Sequence, residues 1–275
     1  MKVTLNGINY YVKLSGAGAP LLMLHGFTGS SENWQGVAPE LAAQNKLIMP
    51  DLLGHGRTEA LAEPERYQMA QAAADLAALL DHLKIHHANV LGYSMGGRLA
   101  LYFATHYPQR VHSLILESSS PGLATAAERT ERQQQDEALA TRIETEGIEK
   151  FVDFWESLPM WESQRVLPLS VRNMLHEKRL NNRPEGLANS LRGMGTGAQP
   201  SLWDKLAQLP HPTLLLTGLR DTKFVAINQQ MSKQIPTAAL QLISHAGHTI
   251  HLERPDHYTQ TILTFLRQHP VAPVS

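Results

Sequence analysis

The sequence contains no cysteine, few aromatic residues (6%) and no excess of either charge. The absence of cysteine excludes a disulfide framework, a thiolate nucleophile and a cysteine-ligated metal. With 24 basic and 25 acidic residues the formal net charge is -1, so there is no basic field for nucleic acid or an anionic membrane. No apolar run approaches the ~18 residues of a membrane span, and the first residues lack the apolar centre of a secretory signal. We therefore expect a cytoplasmic protein with neither a nucleic-acid nor a membrane partner.

What is present is an ordinary globular composition. Hydrophobic residues make up 43% of the 275 residues and charged residues 18%, which excludes a disordered chain. This length can bury the core of one large α/β domain, or of one domain that carries an insertion. The sequence leaves the oligomeric state open.

Short apolar runs alternate with stretches of helical periodicity. The runs lie at 21–24, 46–49, 88–91 and 111–116, and again at 213–217 and 240–243. Continuous apolar runs of this length are typical of strands that are covered on both faces of a parallel sheet. Apolar residues within 69–83 recur every three or four positions, as on one face of a helix, and we expect further helices near 225–233 and after Pro255. The pattern predicts the α/β class, with helices on both faces of the sheet.

The middle of the chain differs from both ends. Residues 118–209 contain no β-like run and are rich in arginine. We interpret them as a helical cap inserted between two strands, with the core formed by 1–117 and 210–275. Most of these arginines are expected to be solvated, since arginine is mostly exposed in folded proteins.

A candidate nucleophile follows the apolar run at 88–91. Gly92, Ser94 and Gly96 form the pattern G-x-S-x-G, which here lies between a predicted strand and a predicted helix. Such a serine sits on a sharp turn, where side chains at the two glycines would collide with neighbouring backbone. The N–H groups at the start of the following helix point toward developing negative charge. Ser94 is therefore the predicted nucleophile or base.

A serine hydroxyl needs a base, and the base needs an acid that orients it. Asp221 follows the run at 213–217 and His248 follows the run at 240–243, so both lie where the sites of α/β proteins are built. The order serine, aspartate, histidine is that of the α/β-hydrolase triad. Glu117, at the end of another predicted strand, is the alternative acid.

Two further patterns bear on the chemistry. His245, His248 and His251 could suggest a metal cluster, but no carboxylate completes a ligand set, and we expect neither a metal nor an organic cofactor. The segment 25–27 follows the first buried run. The backbone N–H groups of Phe27 and Met95 would form an oxyanion hole, unless 25–27 is a plain tight turn.

Several of these motifs together resemble the α/β-hydrolase superfamily over nearly the whole chain. They are His25-Gly26-Phe27, the segments 51–56 and 92–97, Asp221, and Ala246-Gly247-His248. The resemblance implies an α/β-hydrolase fold: a mostly parallel sheet flanked by helices, with a helical cap insertion.

A narrower resemblance involves the segments 92–98, 120–123 and 220–224, together with three cap residues, Arg129, Arg132 and Trp155. In these the chain is similar to the 2-succinyl-6-hydroxy-2,4-cyclohexadiene-1-carboxylate synthases of menaquinone biosynthesis. Leu219 departs from the pattern, because that family commonly has glutamate there. The resemblance implies a lyase that eliminates pyruvate from 2-succinyl-5-enolpyruvyl-6-hydroxy-3-cyclohexene-1-carboxylate, with the triad serine taking a ring proton.

A substrate with three carboxylates calls for cationic partners, and arginine binds carboxylates with two hydrogen bonds at once. Arg98 lies one helical turn after Ser94, and Arg129 and Arg132 share a helix face at i, i+3. The other candidate substrate-binding residues are Tyr93, Trp155 and Lys223. Each has a plainer alternative: a salt bridge to the cap for Arg98, packing for Tyr93 and Trp155, and a surface cation for Lys223.

Two other functions use the same residues. A serine hydrolase, either a carboxylesterase or a C–C bond hydrolase, would use this triad to form an acyl-enzyme. The arginine-rich cap argues against a simple esterase, because neutral ester substrates favour an apolar cap. A binding protein without activity would have no need of an intact triad.

Overall fold

The structure is a computed structural model that describes residues 1–271, and its centre is a sheet of eight strands. The strands are β1 (Lys2–Leu5), β2 (Ile8–Ser15), β3 (Ala19–Leu24), β4 (Asn45–Pro50), β5 (Ala88–Tyr93), β6 (Val111–Glu117), β7 (Thr213–Gly218) and β8 (Ala238–Ile243). Their order across the sheet is β1-β2-β4-β3-β5-β6-β7-β8. All neighbouring strands from β4 to β8 run parallel.

The antiparallel edge was not predicted from the sequence. β1 pairs with β2, and β2 with β4, in antiparallel register. Both strands alternate exposed and buried residues, which is the period of a strand with one covered face. The prediction used only continuous apolar runs to identify strands, and a strand whose residues alternate between exposed and buried contains no such run.

Helices cover both faces of the sheet, as predicted. The helices outside the stretch between β6 and β7 are α1 (Ala38–Ala42), α2 (Met69–His82), α3 (Met95–His106), α7 (Thr222–Gln234), α8 (Ile250–Glu253) and α9 (Pro255–Gln268), and short 3-10 helices lie at Ser31–Gly36, Pro64–Tyr67 and Pro108–Arg110. Side chains of β3 alternate between the two faces: Leu22 and Leu24 pack with α2 and α3, and Leu21 and Met23 with α1 and α9.

The chain between β6 and β7 is helical. It contains α4 (Ala126–Ser157), α5 (Leu169–Leu180) and α6 (Pro184–Met194), with 3-10 helices at Pro159–Val166 and Trp203–Gln208. Helix α4 is kinked at Gly147, whose φ of 83° is outside the helical range. Apolar residues of α4 and α6 form a small core of their own, whereas Leu202, Leu206 and Leu209 pack into the core beside the sheet.

Among the described residues, no helix is both long enough and apolar enough to cross a bilayer.

Candidate active site

Ser94 lies on the turn between β5 and α3, at the carboxyl edge of the sheet. Its φ of 51° is unusual for a residue with a side chain, so the turn is held in a strained conformation. A Cβ atom at Gly92 would collide with the backbone of Gly96, and one at Gly96 with the backbone of Leu24. The tight packing of these glycines therefore lets the strand turn directly into the helix.

Three side chains from separate parts of the sequence meet at this turn. His248 Nε2 lies 3.0 Å from Ser94 Oγ, and His248 Nδ1 lies 2.6 Å from Asp221 Oδ2. Because a carboxylate only accepts, Nδ1 carries the imidazole proton and Nε2 accepts from the serine hydroxyl. Asp221 is held in place at the start of α7, where its Oδ1 also accepts from Phe224 N–H at 3.4 Å. This is the geometry of a serine–histidine–aspartate triad.

A second carboxylate–imidazole pair lies beside the triad. Glu117 Oε2 is 2.8 Å from His251 Nδ1, and both side chains are completely buried. The structure therefore places Glu117, the alternative acid, against His251 and not against His248. Its carbonyl oxygen also accepts from the Ser94 N–H at 2.9 Å.

The three histidines that could have suggested a metal have different partners. His248 contacts Asp221 and Ser94, His251 contacts Glu117, and His245 is exposed on the surface. Within residues 1–271 no group of three metal-ligating side chains converges.

The segment 25–27 lies against the serine turn. A Cβ atom at Gly26 would be 3.5 Å from Ser94 Cβ, so the residue before Phe27 lies next to the nucleophile. His25 holds this segment in place, since its Nδ1 donates to Gly26 O at 2.8 Å and its Nε2 accepts from Leu52 N–H at 2.9 Å. The N–H of Met95, at the first position of α3, has no partner inside its own helix.

The triad opens into a cavity of about 450 Å³. Its walls include eight predicted site residues besides Ser94: Phe27, Tyr93, Met95, Arg98, Arg132, Trp155, Lys223 and His248. The apolar part of the wall comes mainly from the helical segment between β6 and β7, with Leu139, Phe154 and Leu158 among its residues. The cavity thus lies between the sheet edge and that segment, as a ligand site in a capped α/β protein does.

Arg98 is the most unusual charge in the wall. Its Nη1 donates to Met194 O at 2.8 Å and to Gln199 Oε1 at 3.0 Å, and both of these partners are neutral. Burial, together with the nearby charge of Arg132, lowers the pKa of Arg98 to about 10. The salt bridge to the cap that was the alternative for Arg98 is therefore not formed among the described residues.

Arg132 and Arg129 have different surroundings, although they are only three residues apart. Arg132 lines the cavity, and its Nε donates to Asp136 Oδ1 at 2.8 Å. Arg129 is not among the residues that line the cavity, and its Nη1 donates to Leu123 O at 3.2 Å, in the loop just before α4. Its role in binding the substrate stays a prediction.

Three residues near the triad were not predicted as site residues. The ring of Trp161 lies 5.7 Å from that of His248, and the ring of Phe224 lies 4.9 Å from it. Gln199 is completely buried and holds Arg98. Phe224 stood within a recognised motif and could have been assigned a role. Trp161 lies in a short 3-10 helix and Gln199 in a turn, and neither segment has a sequence pattern that could have marked a site residue.

A triad of this kind, with its serine at a strand-to-helix turn of a mostly parallel sheet, defines the class of α/β-hydrolase-fold enzymes. The model of the α/β-hydrolase fold family matches residues 19–255. The fold prediction is confirmed.

Comparisons with individual proteins are more specific. The chain is 44% identical to a candidate 2-succinyl-6-hydroxy-2,4-cyclohexadiene-1-carboxylate synthase of Bacillus subtilis, over 95% of this chain and 96% of that protein. It is 33% identical to the synthase of the same name from Pectobacterium atrosepticum, over 93% and 98%. The solved structure of MenH from S. aureus matches with a TM-score of 0.90 at 37% identity, over 94% of this chain and 98% of that chain. The chain belongs to the α/β-hydrolase family and, within it, to the family of the 2-succinyl-6-hydroxy-2,4-cyclohexadiene-1-carboxylate synthases.

Proposed function

We propose that the protein is a lyase that eliminates pyruvate from 2-succinyl-5-enolpyruvyl-6-hydroxy-3-cyclohexene-1-carboxylate and so forms 2-succinyl-6-hydroxy-2,4-cyclohexadiene-1-carboxylate in menaquinone biosynthesis. One observation supports this most directly: the triad opens into a cavity whose wall carries Arg98, a partly buried cation whose hydrogen-bond partners are neutral. The cost of burying an unpaired charge is offset when an anion binds. A small anionic molecule is therefore the partner that this cavity fits.

The triad supplies the base. His248 Nε2 takes the proton of the Ser94 hydroxyl, and the serine oxygen then takes a proton from the substrate ring. The electron pair of that C–H bond shifts the ring double bond and expels the enolpyruvyl group as its C–O bond breaks. The proton on His248 passes to the leaving enolate, which becomes pyruvate. Asp221 stabilises the imidazolium between these steps.

Cationic side chains hold the substrate carboxylates. Arg98 and Arg132 stand on the wall formed by α3 and α4, and Lys223 stands at the start of α7 on another side of the cavity. Charges on several sides suit a molecule that carries several carboxylates, since each can meet its own donor. Tyr93 and Trp155 complete the wall, and the buried indole N–H of Trp155 has no partner among the described residues.

Negative charge that develops on the serine oxygen or on a substrate oxygen needs donors close to Ser94. The backbone N–H groups of Phe27 and Met95 are our candidates for this role, because both residues adjoin the serine and line the cavity. Every step above uses only side-chain and backbone groups, so we propose that the reaction requires neither a metal nor an organic cofactor.

The cap completes the site. We propose residues 118–209 as a helical cap, because the apolar cavity wall comes from α4 and the segments that follow it. The core would be formed by 1–117 and 210–275, of which 272–275 lie outside the described residues. Closing such a wall over the triad excludes water and strengthens the charge interactions inside.

The direct test is to measure pyruvate release from the enolpyruvyl cyclohexene substrate. We expect Ser94→Ala to lower kcat by several orders of magnitude. Ser190→Ala is the matched control, since Ser190 also lines the cavity but its hydroxyl bonds, among the described residues, only to Met95 Sδ; its activity should stay within about twofold.

Measuring ester hydrolysis beside pyruvate release distinguishes the lyase from a serine hydrolase. An acyl-enzyme on Ser94 and a burst with p-nitrophenyl esters, without release of pyruvate, would contradict the lyase and establish the hydrolase.

A further inference from the structure

The 3-10 helix Pro159–Val166 of the cap lies against the loop that carries His248. The Trp161 ring packs edge-on against the His248 imidazole, with 5.7 Å between ring centroids. Two and three residues further on, Ser163 and Gln164 lie against the residues on either side of His248. A single turn of the cap thus touches the catalytic histidine and both of its neighbours in the chain.

The first of these contacts is a buried hydrogen-bond chain. Gln164 Nε2 donates to Thr249 Oγ1 at 2.9 Å, and the same oxygen lies 2.8 Å from the Tyr93 hydroxyl. All three side chains are buried, and burial raises the pKa of Tyr93, so its hydroxyl keeps its proton. These two hydrogen bonds therefore link Tyr93, which precedes Ser94, to Thr249, which follows His248, and they end on Gln164 of the cap.

The second contact involves Glu253. Its carboxylate accepts from the N–H of Gly247 at 2.7 Å and from that of Thr249 at 3.3 Å, which holds the backbone on both sides of His248. Ser163 Oγ donates to the same carboxylate at 3.0 Å. A Cβ atom at Gly247 would collide with the side chain of Ser163, so this side chain packs directly against the backbone of the loop.

We propose that Ser163 and Gln164 are positioning residues: when the cap is seated, they hold the 247–249 loop so that His248 Nε2 faces Ser94. The assignment rests on the proposed function for its kinetic readout, although the loop geometry can be measured without substrate. If Gln164 were lost, Thr249 Oγ1 would keep only the Tyr93 hydroxyl as a hydrogen-bond partner among the described residues. The histidine would then sample positions farther from the serine.

The experiment replaces Gln164 with methionine, which keeps the length of the side chain and removes its hydrogen bond. We expect Gln164→Met to lower kcat for pyruvate release about threefold to tenfold, the factor that one neutral hydrogen bond is worth. KM should change less than twofold. In proton NMR, the downfield signal of the His248 Nδ1–H that is shared with Asp221 should exchange faster with solvent.

Two comparisons separate positioning from mere packing. Gln133→Met is the matched control, because Gln133 makes a similar bond to Gly197 O within the cap, away from the loop; it should leave kcat and the NMR signal unchanged. In a Thr249→Val background, Gln164→Met should add less than twofold, since its partner is already missing.

An unchanged exchange rate and kcat in Gln164→Met, or an equal loss in the Thr249→Val background, would overturn the proposal. If Gln164→Met does not fold, Ser163→Ala provides the same test with a single oxygen removed. Absence of pyruvate release by the wild-type protein would instead refute the proposed function, and the NMR comparison would still decide the positioning role.

Discussion

Two carboxylate–imidazole pairs lie side by side at the carboxyl edge of the sheet, and only one of them faces the cavity. Asp221 and His248 are 2.6 Å apart, and Glu117 and His251 are 2.8 Å apart. The free nitrogen of His248 meets Ser94, whereas that of His251 has no partner among the described residues. The rings of Trp34, Tyr93 and Tyr258 pack around His251 and seal it from solvent.

This difference shows that contact between a carboxylate and an imidazole does not by itself make the pair catalytic. A carboxylate that orients an imidazole is useful for catalysis only where the other ring nitrogen reaches a proton to be moved. The Glu117–His251 pair instead joins β6 to α8, because the backbone N–H of His251 also donates to Glu117 at 3.2 Å. The three predictions below test this comparison, from the largest expected effect to the smallest.

The largest difference is expected between the two carboxylates. Asp221→Asn should lower kcat by about 10⁴, because the amide favours the wrong imidazole tautomer. Glu117→Gln should leave kcat within tenfold and lower the free energy of unfolding by about 1–3 kcal/mol, since a buried hydrogen-bonded group loses its partner. Steady-state pyruvate release and urea unfolding measure the two effects.

The reverse pattern would show that the two pairs have been assigned the wrong way round: an active Asp221→Asn variant and an inactive but folded Glu117→Gln variant. Near-ultraviolet circular dichroism of both variants checks that the loss is not simply unfolding.

The second prediction compares arginines inside and outside the cavity. Arg98→Met and Arg132→Met should each lower kcat/KM for the anionic substrate about tenfold to a hundredfold, because a charge-assisted hydrogen bond of about 1.5–3 kcal/mol is lost. Arg129→Met is the matched control and should change kcat/KM less than twofold, since its guanidinium lies on loop carbonyls.

The rate at which each variant slowly hydrolyses a neutral p-nitrophenyl ester is the reference, because this substrate has no carboxylate for the arginines to bind. If Arg98→Met lost as much activity on the ester as on the anionic substrate, Arg98 would have a structural role and not a binding one.

The smallest effect concerns histidines that are buried without a carboxylate. Burial lowers the pKa of His55 from its ordinary value of 6.5 to about 3, and it also lowers the pKa of His25. Below pH 6.5 each imidazole is therefore protonated more fully in the unfolded chain than in the folded one. Stability should therefore fall as the pH decreases, by up to about 1.4 kcal/mol per pH unit for each histidine.

Urea unfolding between pH 7.5 and pH 5 measures this dependence. His55→Asn, whose amide can still donate to Leu53 O, should reduce the slope, whereas the exposed His257→Asn should not. Equal slopes for wild-type protein and His55→Asn would contradict the assignment.

Local sequence patterns were sufficient for the sheet centre and for the residues that form the triad. Runs such as 88–91 and 213–217 are apolar throughout, which is the physical requirement for strands covered on both faces. Ser94, Asp221 and His248 could be predicted because each directly follows such a strand, and the ends of parallel strands meet at one edge. Gly92 and Gly96 helped to predict the serine turn, because the backbone packs too closely at these two positions for any side chain.

Other features depend on how segments that are distant in the sequence pack together, and the spacing of residues along the chain does not predict this packing. Arg129 and Arg132 look equivalent at i, i+3, yet Arg132 lines the cavity, whereas Arg129 donates to carbonyl oxygens of the preceding loop. Trp161 and Gln164 lie in a short 3-10 helix, and their contacts with His248 and Thr249 exist only once that helix is folded against the loop that carries His248.

The sequence by itself determined the α/β class, the strained serine turn and the order of the triad, because these follow from local hydrophobicity and from residue types that the backbone demands. Only the tertiary structure decided which of two carboxylate–histidine pairs faces the serine and which of the arginines line the cavity. The reason is physical: burial, hydrogen-bond partners and cavity walls are properties of residues that are far apart in the chain and adjacent only after folding.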